Sequence, residues 1–449
     1  SGLCGRRGRP YPLRMTPTDP PAPPPATAPA RNPNRAAMLI VFLVVFIDLL
    51  GFGIVLPLLP RYAKLYLGEL PEWARGAAIG VLFSVFSLMQ FVFSPMWGRI
   101  SDRIGRRPVL LISLAGSVAF YALFGLASTL PGEQAALALA LLFVSRVGAG
   151  IAGASVSTAA AVIADCTTPE KRSHGMALIG VAFGIGFTFG PLIVYLGFFL
   201  FDDARWAAGA AAAALSLVAL LLAVRVFPET YRGDPTAARK EWLSIERTRE
   251  VLRTPLVGTL VLIYFLVIFA FANFEGTLAV LTDSAFGMGE RDNFLVFAYV
   301  GFALMVAQGG FYRRMVKTMS EERLINYGVS LMFLGLGGLA AVAWFSSREA
   351  PADPAALKVG FYLALAVAVF GFAFVNPSVT ALVSKRADPT RQGETQGVNQ
   401  SFASLGRILG PLLGLTLFYL EPSRTLPYLA GVATLVLVVA LLPRIKGKS

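Results

Sequence analysis

The chain has 449 residues, 56% of them hydrophobic and 14% charged, with a mean hydropathy of +0.66. A soluble domain carries about 25% charged residues, so this chain could not cover a globular surface with polar side chains, and a soluble enzyme is excluded. The formal net charge is +13. In a soluble protein that excess would suggest nucleic acid as a partner; in a membrane protein cations gather on one side for topological reasons.

Cysteine and histidine usage narrows the chemistry further. Cys4 and Cys166 give no legible disulfide framework. His174 is the single histidine, and no H-E-x-x-H, C-x-x-C pair or Walker-type loop occurs. The nearest glycine-rich match, Gly184 to Gly190, lies in an apolar helical run where no phosphate would bind. No metal, nucleotide or redox cofactor is expected, and the chain is read as a non-enzyme.

In chain order, residues 1–37 hold ten of the 29 prolines and six arginines and no run long enough to fold. This predicts a disordered basic, Pro-rich tail. No signal-peptide core is present, and Met15 is a candidate start residue. From residue 38 onward apolar runs recur, each near the roughly 20 residues that cross about 30 Å of hydrocarbon. Twelve spans are predicted at 38–60, 76–97, 108–129, 136–164, 175–201, 206–227, 256–283, 292–312, 323–346, 357–384, 394–420 and 426–443. Short connections make neighbours antiparallel. The exception is a charged link, 228–255, which separates an N-terminal half (38–227) from a C-terminal half (256–443), with a tail at 444–449. Trp242, Ile245 and Leu252 in the link suggest an interfacial helix.

With both termini inside, 29 of the 39 Lys/Arg fall on inner segments or the span ends next to them (Arg225, Arg323), and eight on outer ones, Lys358 at a span end among them. That asymmetry predicts an N-in, C-in protein of a plasma or bacterial inner membrane. Arg146 and Arg407 are left deep within spans.

Laid side by side, the halves share a signature. Gly186 to Leu192 in the fifth span and Gly406 to Leu412 in the eleventh both read G-x-x-x-G-P-L. A weaker echo joins Ser155–Ala159 and Ser378–Ala381. Parallel six-helix repeats around a midplane site are a common transporter plan; generic G-x-x-x-G packing in lipid is the plainer explanation.

The loop between spans two and three reads Gly98-Arg99-Ile100-Ser101-Asp102-Arg103-Ile104-Gly105-Arg106-Arg107. It resembles the loop pattern G-x-L-x-D-R-x-G-R-[KR] of the major facilitator superfamily, differing at Ile100. The resemblance implies an all-α polytopic fold of twelve helices in two pseudo-symmetric halves. It also implies a cytoplasmic latch of Gly98, Asp102, Arg103, Gly105 and Arg106, closing the halves until the transporter opens inward. Asp102 is expected against a helix N-terminus, where the dipole favours an anion. Asp165 at the end of span four is the candidate partner for Arg103 and Arg106. A loop that merely sets topology is the alternative.

The first span, Phe46-Ile47-Asp48-Leu49-Leu50-Gly51-Phe52-Gly53 followed by Leu56-Pro57, resembles that of tetracycline-resistance-type drug/proton antiporters. Asp48 lies ~15 Å deep at about 1.5 Å per residue, where an ionised acid costs on the order of 3 kcal/mol. It is therefore a candidate proton carrier, or else a structural acid held by Arg146. Arg146-Val147-Gly148-Ala149-Gly150 matches the superfamily pattern R-x-x-Q-G except that Ala149 replaces the Gln. Gly186, Gly190 and Pro191 match the first part of the antiporter motif G-x-x-x-G-P-x-x-G-G, whose final glycines are Val194 and Tyr195 here.

Glu275 and Arg407 supply intramembrane charges in the second half, and the same branch is resembled by Phe271–Gly276, by Gln308-Gly309-Gly310 with Arg313 and Arg314, and by Ser404–Arg407. Asp48, Glu275, Arg146 and Arg407 are the proton-coupling candidates; two static buried ion pairs are the alternative. Gln90, Asn273, Gln308, Asn376, Asn399 and Gln400 are candidate cavity polars, each equally suited to interhelical hydrogen bonding. His174, before span five, is a lesser candidate relay. The implied function is a secondary transporter, monomeric, exchanging protons for small amphiphilic compounds across a lipid bilayer by alternating access, with the proton gradient as its energy source and no nucleic acid bound. Two alternatives stand beside it: a sugar-type facilitator or symporter, faintly echoed by Phe227-Pro228-Glu229-Thr230, and a non-transporting membrane sensor.

Overall fold

The computed structural model describes residues 35–53, 56–167, 172–202, 204–231, 245–348, 353–387 and 392–445. Cys4, Met15 and Trp242 lie outside these residues. Twelve long helical segments order the described chain. They are α1 Arg35–Gly53, α2 Glu72–Ile104, α3 Arg106–Ala127, α4 Ala135–Gly153 resuming as Val156–Cys166, α5 Arg172–Leu200 and α6 Ala207–Val226 in the first half. In the second half they are α7 Pro255–Phe286, α8 Glu290–Val306, α9 Glu321–Ser346, α10 Pro354–Arg386, α11 Gln392–Leu420 and α12 Leu426–Leu441. Ten helical segments are long and apolar enough to cross a membrane by length and composition alone; α1 and α5 complete the expected twelve.

The differences from the predicted spans have local causes. The first helix is described over Arg35–Gly53 and so takes in the last residues of the predicted tail; Leu56–Leu58 form a 3-10 turn and Leu59–Tyr66 a short helix. Pro57, which cannot donate to a helical ladder, sits within that 3-10 turn. α4 breaks at Ala154–Ser155, where the Ser113 hydroxyl from α3 donates to the Ala152 carbonyl at 2.8 Å and contacts Ser155 Oγ at 2.7 Å. α8 passes through a π-helical turn, Ala307–Tyr312, centred on Gly309-Gly310. Such turns concentrate at functional positions.

The helices pair in a repeated scheme. α1 packs on α5 and α3 on α6; in the second half α7 packs on α11 and α9 on α12. The halves meet along two seams, α2 against α11 and α5 against α8, which exchange under the same pseudo-two-fold relation. Lipid offers no hydrophobic drive between helices, so close backbone approach decides the seams. At Gly76 an added Cβ would fall on the Leu415 carbonyl, and at Gly80 it would lie 3.0 Å from Leu412 Cα.

One end of this seam is knitted together by charge. Arg61 and Lys64, after α1, pair with Glu290 and Asp283 at 2.7 Å each, and Glu72 faces Arg424 at 3.7 Å. All three pairs join one half to the other. Nearby, Arg291 donates to the Phe198 carbonyl at 3.4 Å and the Phe198 and Phe294 rings lie 5.4 Å apart. At the opposite end, the pairs of Arg106 with Asp102 and Asp165, of Lys385 with Glu321 and of Arg386 with Glu322 each stay within one half.

Candidate functional site

Of the four intramembrane charges, Asp48, Arg146 and Glu275 are buried and Arg407 is half-buried. Asp48 is buried in α1. Its Oδ1 accepts from Gln90 Nε2 of α2 at 2.5 Å, and the same amide lies 3.5 Å from the Gly153 carbonyl of α4. The carboxylate occupies the notch left by Gly153: a Cβ there would overlap Asp48 Oδ1 and come within 3.1 Å of Gln90 Nε2. Close contact between α2 and α4 makes the junction possible, since a Cβ on Gly150 would meet the Phe86 carbonyl at 2.6 Å.

Arg146 was the expected partner of Asp48. The hydrogen bond instead comes from Gln90, while Arg146 stays within charge–charge range and sets its guanidinium 4.3 Å from the centre of the Phe86 ring. An amide from α2 thus reaches the acid, in a protein whose α4 carries Ala149 where the resembled pattern has Gln. Gln90 was a candidate cavity polar, but its link to Asp48 and the role of Gly153 were not legible. Three helices far apart in sequence make that contact.

Arg407 of α11 lies within charge–charge range of both Asp48 and Glu275. It donates to Ser404 Oγ at 3.1 Å. Glu275 is buried, and its Oε1 has no hydrogen-bond partner among the described residues. Among the described residues none of the four charges forms an ion pair with another, so the alternative of two closed ion pairs is not what the geometry shows; Arg407 acts on both acids only at longer range.

At the opposite end, the residues of the expected latch gather around Arg106, but their contacts stay within the first half and the start of the link, so among the described residues they do not tie one half to the other. The Arg106 guanidinium bonds Asp102 at 2.5 Å, Asp165 at 3.0 Å and Ser101 Oγ at 2.6 Å, and stacks 4.9 Å from the centre of the Tyr231 ring. Asp102 does not cap α3, contrary to expectation. Glu229 does, accepting from the Arg106 and Arg107 backbone N–H groups at 2.9 and 3.1 Å. Gly105 adopts a φ of +99°, and a Cβ there would come within 2.5 Å of the Glu229 carboxylate. Only glycine meets both demands. Glu229 was noted solely for its faint echo of sugar porters, and the cap gives it a structural explanation. Arg103 is exposed and makes no ion pair among the described residues, so its expected pairing with Asp165 is not formed. Gly98 is less constraining than expected, because a Cβ would meet Ser157 Oγ at an ordinary 3.6 Å.

A family model described as Major Facilitator Superfamily matches residues 41–411 and 355–449. The chain belongs to the major facilitator superfamily. It is 31% identical over 430 residues to the bovine major facilitator superfamily domain-containing protein 10, covering 84% of this chain and 86% of that protein. It is 31% identical over 379 residues to the class E tetracycline resistance protein of Escherichia coli, covering 82% and 84%. Among solved structures, the human organic anion transporter MFSD10 superposes with a TM-score of 0.63 at 27% identity, covering 92% of this chain and 100% of that one. A D-xylose–proton symporter superposes at 0.71 with 17% identity, covering 92% and 99%, a likeness of fold alone. The chain is thus a multi-pass membrane transporter and not an enzyme.

Within this superfamily fold the remaining candidates separate clearly. Gly190, in the Gly186–Pro191 stretch of α5, approaches α1 with Leu50 Cα 3.8 Å from an added Cβ. Its counterpart Gly410 is tighter, 2.9 Å from the Asn273 nitrogen of α7, and Gly406 and Gly414 continue the contact. The shared signature therefore serves equivalent interfaces, α1–α5 and α7–α11. Asn376 accepts from the Tyr264 hydroxyl at 2.7 Å, an interhelical bond. Gln308 sits in the π-helical turn. Gln400 is exposed, whereas Asn273 and Asn399 are fully buried without a side-chain hydrogen bond among the described residues. Val251 and Leu252 of the link pack on α7 and α11 with Val257, Val261 and Val398. The side chains of His174 and Ile245 lie outside the described residues.

Proposed function

We propose that this transporter exports small amphiphilic compounds in exchange for protons, by alternating access, with both termini in the cytoplasm. The observation that carries the reading is Arg407, in range of Asp48 from one half and Glu275 from the other. Protonation of either acid redistributes the attraction of Arg407 and so biases how the halves meet. An amphiphile entering the cavity between them competes for the same charges, and its departure leaves the acids free to take up protons again. Similarity to tetracycline resistance proteins and to a multidrug resistance protein of Bacillus subtilis, 28% identical over 402 residues, supports export.

The excess of Lys/Arg on the Arg106 side supports a cytoplasmic placement of that end. The end joined by Arg61–Glu290, Lys64–Asp283 and Glu72–Arg424 then faces outward, and the conformation is closed to the outside. The native proton gradient supplies the energy, and no cofactor is invoked. Reconstituted vesicles with imposed pH gradients of both signs test the mechanism. Asp48→Asn is expected to abolish substrate movement driven by the gradient while leaving downhill exchange measurable. Gradient-driven accumulation retained by Asp48→Asn overturns the assignment.

A further inference from the structure

The end of the bundle at which the ion pairs join the halves contains a cavity of about 400 Å³. Its charged lining is divided between the halves. Arg61, Lys64 and Arg205 come from the first half, and Asp283 and Glu290 from the second. Arg61 and Lys64 are held by Glu290 and Asp283. Arg205, exposed in the turn before α6, has no ion pair among the described residues. Three cations therefore face two acids across the seam.

We propose that this cavity binds an organic anion, whose carboxylate or similar group is taken by Arg61, Lys64 and Arg205 in competition with Glu290 and Asp283. Planar guanidinium groups match a carboxylate through two parallel hydrogen bonds, and Arg205 is available without displacing anything. Pro57, Leu65 and Met288 supply an apolar lining for the rest of the ligand. The volume lies within the range of about 300–1,000 Å³ found for small-molecule sites. Occupancy has a directional consequence. An anion on the first-half wall satisfies the cations that otherwise hold the second half, so binding loosens this end of the seam. The consequence for transport rests on the functional reading above, whereas the binding site itself does not.

Binding is measured on the full chain in lipid nanodiscs with radiolabelled benzoate as the anion and benzyltrimethylammonium as the cation of matching shape. Wild-type protein is expected to bind benzoate saturably and to ignore the cation. Lys64→Ala with Arg205→Ala is expected to weaken binding about tenfold through the loss of charge-assisted hydrogen bonds. Asp283→Asn with Glu290→Gln is expected to strengthen it, because the competing acids lose their charge. That opposite response separates an anion site from a set of purely structural ion pairs. Benzoate binding is read without a pH gradient and Asp48→Asn only by gradient-driven transport, so failure of the proton-coupling assignment and failure of this site are distinguishable. Absence of saturable benzoate binding in both wild type and the acid-neutralised variant overturns the proposal. So does an affinity unchanged by neutralising the acids, or saturable binding of the cation instead.

Discussion

Replacing Gly153 with Ala tests whether the seating of Asp48 governs transport. The methyl group would occupy the space of Asp48 Oδ1 and press on Gln90 Nε2 at 3.1 Å. Asp48 must then turn away from Gln90, or α1 and α2 must withdraw from α4. Loss of a hydrogen bond to a charged group costs about 1.5–3 kcal/mol. At ~1.4 kcal/mol per factor of ten, transport should fall roughly 10- to 100-fold. Global stability should change less, because overpacking costs about 1–3 kcal/mol while replacing a helical glycine by alanine returns up to ~1 kcal/mol. Gly337→Ala is the matched control, since nothing lies within 4 Å of an added Cβ in the middle of α9. The assay is gradient-driven transport in proteoliposomes beside the thermal midpoint in detergent. Wild-type transport by Gly153→Ala refutes the reasoning.

Three further outcomes are expected. Gly76→Val drives a side chain into the Leu415 carbonyl and should part α2 from α11. The check is several-fold faster labelling of a cysteine at position 289 by an impermeant maleimide, with Cys4 and Cys166 changed to Ser; unchanged labelling of folded protein counts against the seam. Glu229→Gln replaces one acceptor oxygen with an amide nitrogen that cannot accept from the Arg107 N–H, costing about 1 kcal/mol at the α3 N-terminus. A lowered thermal midpoint with transport retained checks it. Arg106→Lys keeps the charge but loses the fork that joins Asp102, Asp165 and Ser101. A midpoint equal to wild type would mean that this geometry contributes nothing to stability.

Much of the site was visible as chemistry before it was visible as geometry. Asp48, Glu275, Arg146 and Arg407 stand out because a charge within an apolar span is costly and seldom accidental. Their grouping was not visible. Asp48 and Gln90 are 42 residues apart and meet only once α1 and α2 are packed. Glu229 shows the same limit at the Arg106 end. It caps a helix that begins 123 residues earlier, and its neighbours in sequence carry no signal of that. The Gly186–Pro191 and Gly406–Leu412 stretches were legible as a repeat, but the question of packing or exchange chemistry needed their neighbours.

The sequence alone determined that this is a helical membrane protein of twelve spans in two halves. Hydropathy and helix length are local properties, fixed by backbone hydrogen bonding in lipid and by the thickness of the bilayer. Tertiary structure decided which charges share a partner and which end of the seam is joined by ion pairs. Those depend on helices separated by up to several hundred residues approaching within contact at glycines such as Gly76, Gly80 and Gly153. A composition of 14% charge excluded a soluble enzyme; the placement of five of those charges around one cavity, and the burial of Asp48 against Gln90 and Gly153, belong to the fold.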